Sequence, residues 1–285
     1  MLTSKLEVLV DMGQNPEAKL LDKTINSLKS QDGIKEVMFK DGAFMIETTL
    51  PSSVVLDMVT KTSGKRAVLQ GFGDSQSAVA MISSQSCCSG RVLGVVRFQH
   101  TPDGLVCDGS IDGLTSGEHG LHVHRAGDLS EGCQSLGGHF NPYDSPHGGP
   151  DDPPALRHAG DLGNIVADDS GRATFRIQDN VLKIWDLIGR SLAVTERRDD
   201  LGRGMSPTSK IDGDSGKPIA CGIIARSAGI FQNPKRICAC DGVVVWDERD
   251  RPLAGKGRRK CCEKHDEKQN GTGDAQNADK PCCKV

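Results

Sequence analysis

Gly120-Leu121-His122-Val123-His124 is the stretch that decides how the middle of this chain folds. Histidines two residues apart on an extended strand point their imidazoles to the same face, where they can share one metal ion. Working outward, short apolar segments recur at 94–99 (GVVRFQ), 105–111 (LVCDGSI), 163–177 (GNIVADDSGRATFRI) and 191–196 (SLAVTE). Gly, Pro, Asp and Ser separate them about every 8–12 residues, the rhythm of an antiparallel sandwich or barrel with long loops. Downstream, His139, His147, His158 and Asp161 fall in a Gly- and Pro-rich loop that can fold back around an ion, and six of the eight histidines lie between His119 and His158. Three His and one Asp form a closed tetrahedral set, the pattern of structural zinc rather than of a site with an open position.

Composition agrees with a turn-rich β protein. Glycine accounts for 34 of 285 residues while aromatics are only 4%, against a usual glycine share of about 7%. No stretch approaches the roughly 18 apolar residues of a membrane helix. The N-terminal run carries Lys5, Glu7 and Asp11 inside its short apolar segment, so neither a membrane span nor a signal peptide is expected. A net charge of −3 supplies no global reason to bind nucleic acid or an anionic membrane. Eleven cysteines without a secretion signal point to reduced thiols, hence metal binding or redox chemistry rather than a disulfide scaffold.

Residues 1–73 have their own pattern. Leu6, Val8 and Val10 alternate as a strand, and Pro16 opens a segment with Leu20, Leu21, Ile25 and Leu28 at helical spacing, ended near Gly33. Two strands, 34–40 and 43–50, meet across Asp41-Gly42, a type I′ hairpin signal. A second helix follows Pro51 and closes at Gly64, and 66–72 supplies a last strand. The order βαββαβ is ferredoxin-like, an α+β arrangement. The expected organisation is therefore 1–73, a β domain over 74–234, and a C-terminal segment over 235–285, polar and without periodicity from about Asp247.

The strings GLHVH (120–124), HFNP (139–142), HGGP (147–150), RHAGDLGN (157–164), IGRSL (188–192), DDLGRG (199–204) and ACGIIA (220–225) follow one another as in copper–zinc superoxide dismutases. The resemblance implies that family's Greek-key, immunoglobulin-like β-barrel. It assigns His122 and His124 to copper, His139 to the position bridging copper and zinc, and His147, His158 and Asp161 to zinc. Asp199 matches the carboxylate that orients metal-site histidines. Cys133 and Cys221 match the intrasubunit disulfide.

Two departures separate this chain from an active dismutase. The family's fourth copper histidine corresponds to Thr195, a poor copper ligand beside imidazole, and its substrate-steering arginine to Pro218, with only Lys217 beside it. The fold is kept and the catalysis dropped. The flanks resemble metallochaperones that serve those dismutases: 231–258 (FQNPKRICACDGVVVWDERDRPLAGKGR) matches their C-terminal segment, and the ferredoxin-like unit stands where theirs does. Cys238 and Cys240 form a C-x-C pair able to hold one Cu(I) and to exchange a disulfide, with Lys235 and Arg236 lowering the thiol pKa values.

The N-terminal unit departs as well. Its relatives bind Cu(I) through M-x-C-x-x-C, whereas this chain reads Met12-Gly13-Gln14-Asn15-Pro16-Glu17 and has no cysteine before Cys87. That unit is expected to serve docking or stability. The vicinal pairs Cys87-Cys88, Cys261-Cys262 and Cys282-Cys283 read as exposed thiols of no defined role, with help in binding or collecting Cu(I) as the alternative, Cys107 as a core residue, and His265 as incidental.

The resemblance implies a zinc- and Cu(I)-binding chaperone, not an enzyme, that docks onto a copper–zinc dismutase subunit as a heterodimer. It implies a homodimer when free, both formed through the surface around GLHVH, Arg125-Ala126-Gly127 and the strand GIIARSAG (222–229). The expected setting is the cytoplasm, with the nucleus and mitochondrial intermembrane space as further compartments. The rival readings are an active dismutase and a zinc-stabilised binding module without copper traffic.

Overall fold

The structure is a computed structural model that describes residues 2–10, 17–73, 76–84, 92–230 and 232. The N-terminal unit contains β1 (Ser4–Val10), α1 (Ala18–Lys29), β2 (Ile34–Lys40), β3 (Ala43–Thr48), α2 (Ser52–Ser63) and β4 (Ala67–Phe72). Its sheet has the order β2-β3-β1-β4, the expected ferredoxin-like arrangement. Asp41 and Gly42 both take positive φ, 52° and 83°, as a type I′ turn demands, so β2 and β3 pair closely. Leu6 and Val8 of β1, Phe44 and Ile46 of β3, Leu28 of α1 and Val55 and Val59 of α2 bury one face of the sheet under the helices. The other face carries Lys5, Glu7, Met38 and Met45. The first helix begins at Ala18; Pro16 and Met12 to Asn15 lie outside the described residues.

Eight further strands follow: β5 (Ser77–Ser83), β6 (Leu93–Thr101), β7 (Gly104–Asp112), β8 (Gly117–His124), β9 (Asp161–Ala167), β10 (Arg172–Asp179), β11 (Ser191–Thr195) and β12 (Pro218–Ser227). They close into an antiparallel barrel in the order β10-β7-β6-β5-β12-β11-β8-β9. The pleat sorts the residues of β8: Leu121 and Val123 join Phe98, Ile111, Leu192, Val194 and Ile224 in the core, while His122 and His124 project to the opposite face. β8 pairs with β11 on one side and β9 on the other, which sets His122 opposite Ala193 and opposite Asp161. That register brings the first metal-face histidine next to the first residue of β9.

The two units are joined by a buried polar contact. The Ser52 amide at the start of α2 donates to Asp108 on β7 at 2.9 Å, and its hydroxyl donates to the same carboxylate. Arg176 on β10 donates to the Leu50 and Leu2 carbonyls and to Ser4 Oγ, and lies 3.5 Å from Asp108. Burial pushes the Asp108 carboxyl up, although Ser52 and Arg176 oppose that. Breaking a buried pair by removing one partner costs about 3–5 kcal/mol, so this contact holds the N-terminal unit in one orientation on the barrel.

Candidate metal centre

The loop between β8 and β9 turns back on itself because its own backbone is tied to the strand it leaves. Phe140 N donates to the Val123 carbonyl at 2.7 Å and Arg125 N to Gly138, and His124 forms a bridge with His139. Arg157, only 1% exposed, fastens the far end by donating to the Pro150, His158 and Ala159 carbonyls and pairing with Asp179 at 2.7 Å. Between these anchors, His139, His147 and His158 converge on Asp161.

Asp161 Oδ1 lies 2.9 Å from His139 Nδ1 and 3.2 Å from His158 Nδ1, and the two nitrogens are 3.5 Å apart. His147 Nδ1 lies 3.0 Å from Asp161 Oδ2 without a hydrogen-bonding partner of its own. A tetrahedral zinc with bonds near 2.0–2.1 Å has donor–donor edges of about 3.3 Å, so these spacings fit that ion. The second carboxylate oxygen is held by the His158 and Gly148 amides at 2.9 and 3.2 Å, which leaves Oδ1 to face the cluster. All four residues are buried.

Asp199, fully buried in the segment after β11, orients two rings at once. His147 Nε2 donates to its Oδ1 at 2.8 Å and His122 Nε2 to its Oδ2 at 2.9 Å. Asp199 thereby fixes a proton on each Nε2 and turns each Nδ1 toward the metal side. Asn164 clamps the Asp199 backbone from both sides, accepting from its amide at 2.7 Å and donating to its carbonyl at 2.8 Å. Gly213, at φ 70°, leaves room for the pair: a Cβ there would collide with Asp199 Oδ1 and His147 Nε2.

The opposite side of His139 is looser. Its ring stacks on His122 at 4.0 Å between centroids and meets His124 edge-on at 5.2 Å. His124 donates from Nδ1 to the Gly137 carbonyl at 2.7 Å, so its Nε2, like His122 Nδ1, is a buried nitrogen with no hydrogen-bond partner. Burial lowers both His124 and His139 to about 4, which keeps these imidazoles neutral and able to bind metal. Burial also pushes His147 down, yet Asp161 and Asp199 raise it to about 9. A cation bound there would take over the proton's role and displace it.

A cavity of about 620 Å3 opens onto this side, lined by His124, His139, Thr195, Lys217 and Pro218 among others. Thr195 turns its hydroxyl away to the Arg197 and Gly120 carbonyls, at 3.1 and 3.3 Å. The position that would complete a four-histidine set is thus occupied by a group committed to the backbone. Among the described residues, donor atoms gather within 4.8 Å of one another in two groups, the His139, His147, His158, Asp161 tetrad and the His122, His147, Asp199 triangle, and neither includes His124.

A family model described as copper/zinc superoxide dismutase matches residues 92–224, the barrel and its metal loop. Matches to whole proteins extend well beyond the barrel. Proteins named copper chaperone for superoxide dismutase are 52% identical in Sus scrofa and 53% in Rattus norvegicus, each over 84% of this chain and 88% of the relative. The Homo sapiens protein of that name is 51% identical over 85% of this chain and 89% of its own. The chain belongs to the family of copper chaperones for superoxide dismutase.

Within that chaperone family, the metal tetrad belongs to a barrel whose relatives outside it are dismutases. Cys133 is bonded to Cys221, tying the loop after β8 to β12 across 88 residues. Closing a loop of that length is worth about 4–5 kcal/mol in chain entropy. Cys107 is buried, as its place on β7 suggested. Cys238, Cys240 and the vicinal pairs Cys87-Cys88, Cys261-Cys262 and Cys282-Cys283 lie outside the described residues.

His119, counted in the cluster by sequence, stands apart from it: Nδ1 meets the Thr195 carbonyl at 2.8 Å and Nε2 the Thr115 hydroxyl. Arg157 and Asn164 were not singled out from the sequence. The strings RHAGDLGN and DDLGRG contain or face them, but only the folded loop shows what they hold.

Proposed function

We propose that this chain carries Cu(I) on Cys238 and Cys240 and delivers it to a copper–zinc superoxide dismutase, with its own barrel serving as a zinc-stabilised docking module. The observation that carries the reading is the half-identity to copper chaperones for superoxide dismutase over about 85% of the chain. The barrel supports it. His139, His147, His158 and Asp161 fit a structural zinc, while Thr195 withdraws its hydroxyl from the three-histidine side and leaves no fourth imidazole for a redox-cycling copper.

Docking would use the outer surface near β12, where Ile223 and Met81 are exposed at 42% and 60% on adjacent strands and Arg125 lies at the start of the metal loop. A related barrel presents an equivalent patch, so the same surface suits a target subunit or a second copy of the chaperone. C-x-C thiolates bind Cu(I) through soft sulfur. When the pair is itself oxidised, a target thiolate attacks one of its sulfurs and a second target thiol resolves the mixed disulfide. Two target thiols are then oxidised as Cys238 and Cys240 are reduced.

The test is activation of a zinc-loaded, copper-free dismutase by the Cu(I)-loaded full chain. The Cys238→Ser/Cys240→Ser variant is expected to lose activation while keeping its zinc. Undiminished activation by that variant would overturn the reading.

A further inference from the structure

The sheet face that the helices leave uncovered holds a groove of about 290 Å3. Met38 of β2 and Met45 of β3 both line it, and they stand directly opposite one another in the antiparallel ladder. Opposed residues of that kind carry their Cβ atoms about 4.5–5.5 Å apart on one face of a sheet. Neither methionine belongs to the core under the helices, which Val37 and Phe44 of the same strands help to fill from the other face. Met38 is 53% exposed, the one large apolar side chain so exposed among the described residues of this unit.

The neighbours of the pair shape the groove without giving it a net charge. The chain leaving the barrel passes over Gly71 of β4, where a Cβ would stand 2.8 Å from Ile230 Cα, and Ile230 walls the groove on that side. Glu36 and Glu47 oppose each other as the next pair on the methionine face. Lys5, which meets Glu47 from β1, and Lys40 balance these carboxylates around the rim. A hard divalent ion therefore finds no surplus of negative charge there. What distinguishes the groove is its donor type, two thioethers side by side.

We propose that Met38 and Met45 bind one Cu(I) between their sulfurs. Thioether sulfur is soft and uncharged, a donor suited to Cu(I) rather than to hard divalent ions. Two metal–sulfur bonds of about 2.3 Å, the length found in zinc thiolates, span about 4–5 Å, which matches the Cβ separation of an opposed pair. Each methionine has three rotatable bonds with which to turn its sulfur to the ion. A thioether carries no proton, so binding here releases none, unlike binding by thiols. The unit without a cysteine thus keeps a place for Cu(I), on its open sheet face rather than in the loop after β1. The proposal does not depend on Cys238 and Cys240.

The test uses the zinc-loaded full chain with its accessible thiols blocked by iodoacetamide. Cu(I) is added anaerobically in acetonitrile-containing buffer, and carbon-13-labelled methionine methyls are followed by NMR. Met81 and Met205 serve as internal controls. They are more exposed still, at 60% and 103%, but Met81 faces Val95 and Met205 lies outside the strands. The Met38 and Met45 signals are expected to move together, with those of Met58, Met81 and Met205 unmoved. The Met38→Leu/Met45→Leu variant, nearly equal in volume, is expected to keep its circular dichroism spectrum and zinc content and to bind one Cu(I) fewer per chain.

Unmoved Met38 and Met45 signals, equal movement at Met81 or Met205, or undiminished Cu(I) uptake by the double variant would each overturn the proposal. With the thiols blocked, the outcome is independent of whether Cys238 and Cys240 deliver copper to a dismutase.

Discussion

His139 stands between two unlike halves of one cluster. On one side, His147, His158 and Asp161 close with it into a set whose donor atoms all lie within 4.8 Å of one another, every residue buried and the carboxylate fixed by two backbone amides. On the other, His122 and His124 hold buried nitrogens without hydrogen-bond partners, His124 beside a cavity of about 620 Å3, and Thr195 turns its hydroxyl to backbone carbonyls. The closed half has the donor set of a structural zinc site, and the open half has three imidazoles with no fourth beside them. Asp199 bonds one ring of each half from behind, His122 in the open half and His147 in the closed one.

Three substitutions probe that contrast, in falling order of effect. Asp161→Ala removes the charge that gathers the closed half. It is expected to abolish zinc retention on metal analysis and to lower the melting temperature by about 10 °C or more, the loss of about 4 kcal/mol of ligand stabilisation. A melting curve that matches wild type would show that the closed half is not what stabilises the barrel.

Asp199→Asn keeps the shape but weakens the grip on His147 and His122. Zinc affinity is expected to fall about 10–100-fold, read by competition with a chelator. Equal affinity would mean that the loop alone orients the rings. Thr195→His restores an imidazole on the cavity wall, and copper bound by the barrel is expected to tighten about tenfold with zinc content unchanged. No gain in copper would show that the open half is distorted by more than its missing ligand.

Much of the architecture was legible in local pattern. Alternation in GLHVH placed two imidazoles on one face of β8, and Asp41-Gly42 marked a turn whose positive φ values only such residues take readily. The βαββαβ order followed from spacing and caps. The metal tetrad was readable too, because its members crowd into 139–161. What local pattern missed were partners separated by long stretches of chain. Asp108 and Ser52 are 56 residues apart; Asp199, 77 residues from His122, was named by the family resemblance and not by local pattern. His119 shows the converse: it shares the density of the cluster, yet its ring is held by the Thr195 carbonyl at Nδ1 and the Thr115 hydroxyl at Nε2.

Residue type and spacing by themselves determined which side chains could bind a metal and that the N-terminal unit has no thiol to offer, while the missing fourth imidazole at Thr195 came from the resemblance to the dismutases. Those are properties of composition along the chain. Tertiary structure alone decided which oxygen of Asp161 faces the cluster, that one carboxylate holds a ring from each half, and that the chain leaving the barrel passes over Gly71. These depend on strand register and loop closure, which place atoms to within a hydrogen bond's tolerance across dozens of residues.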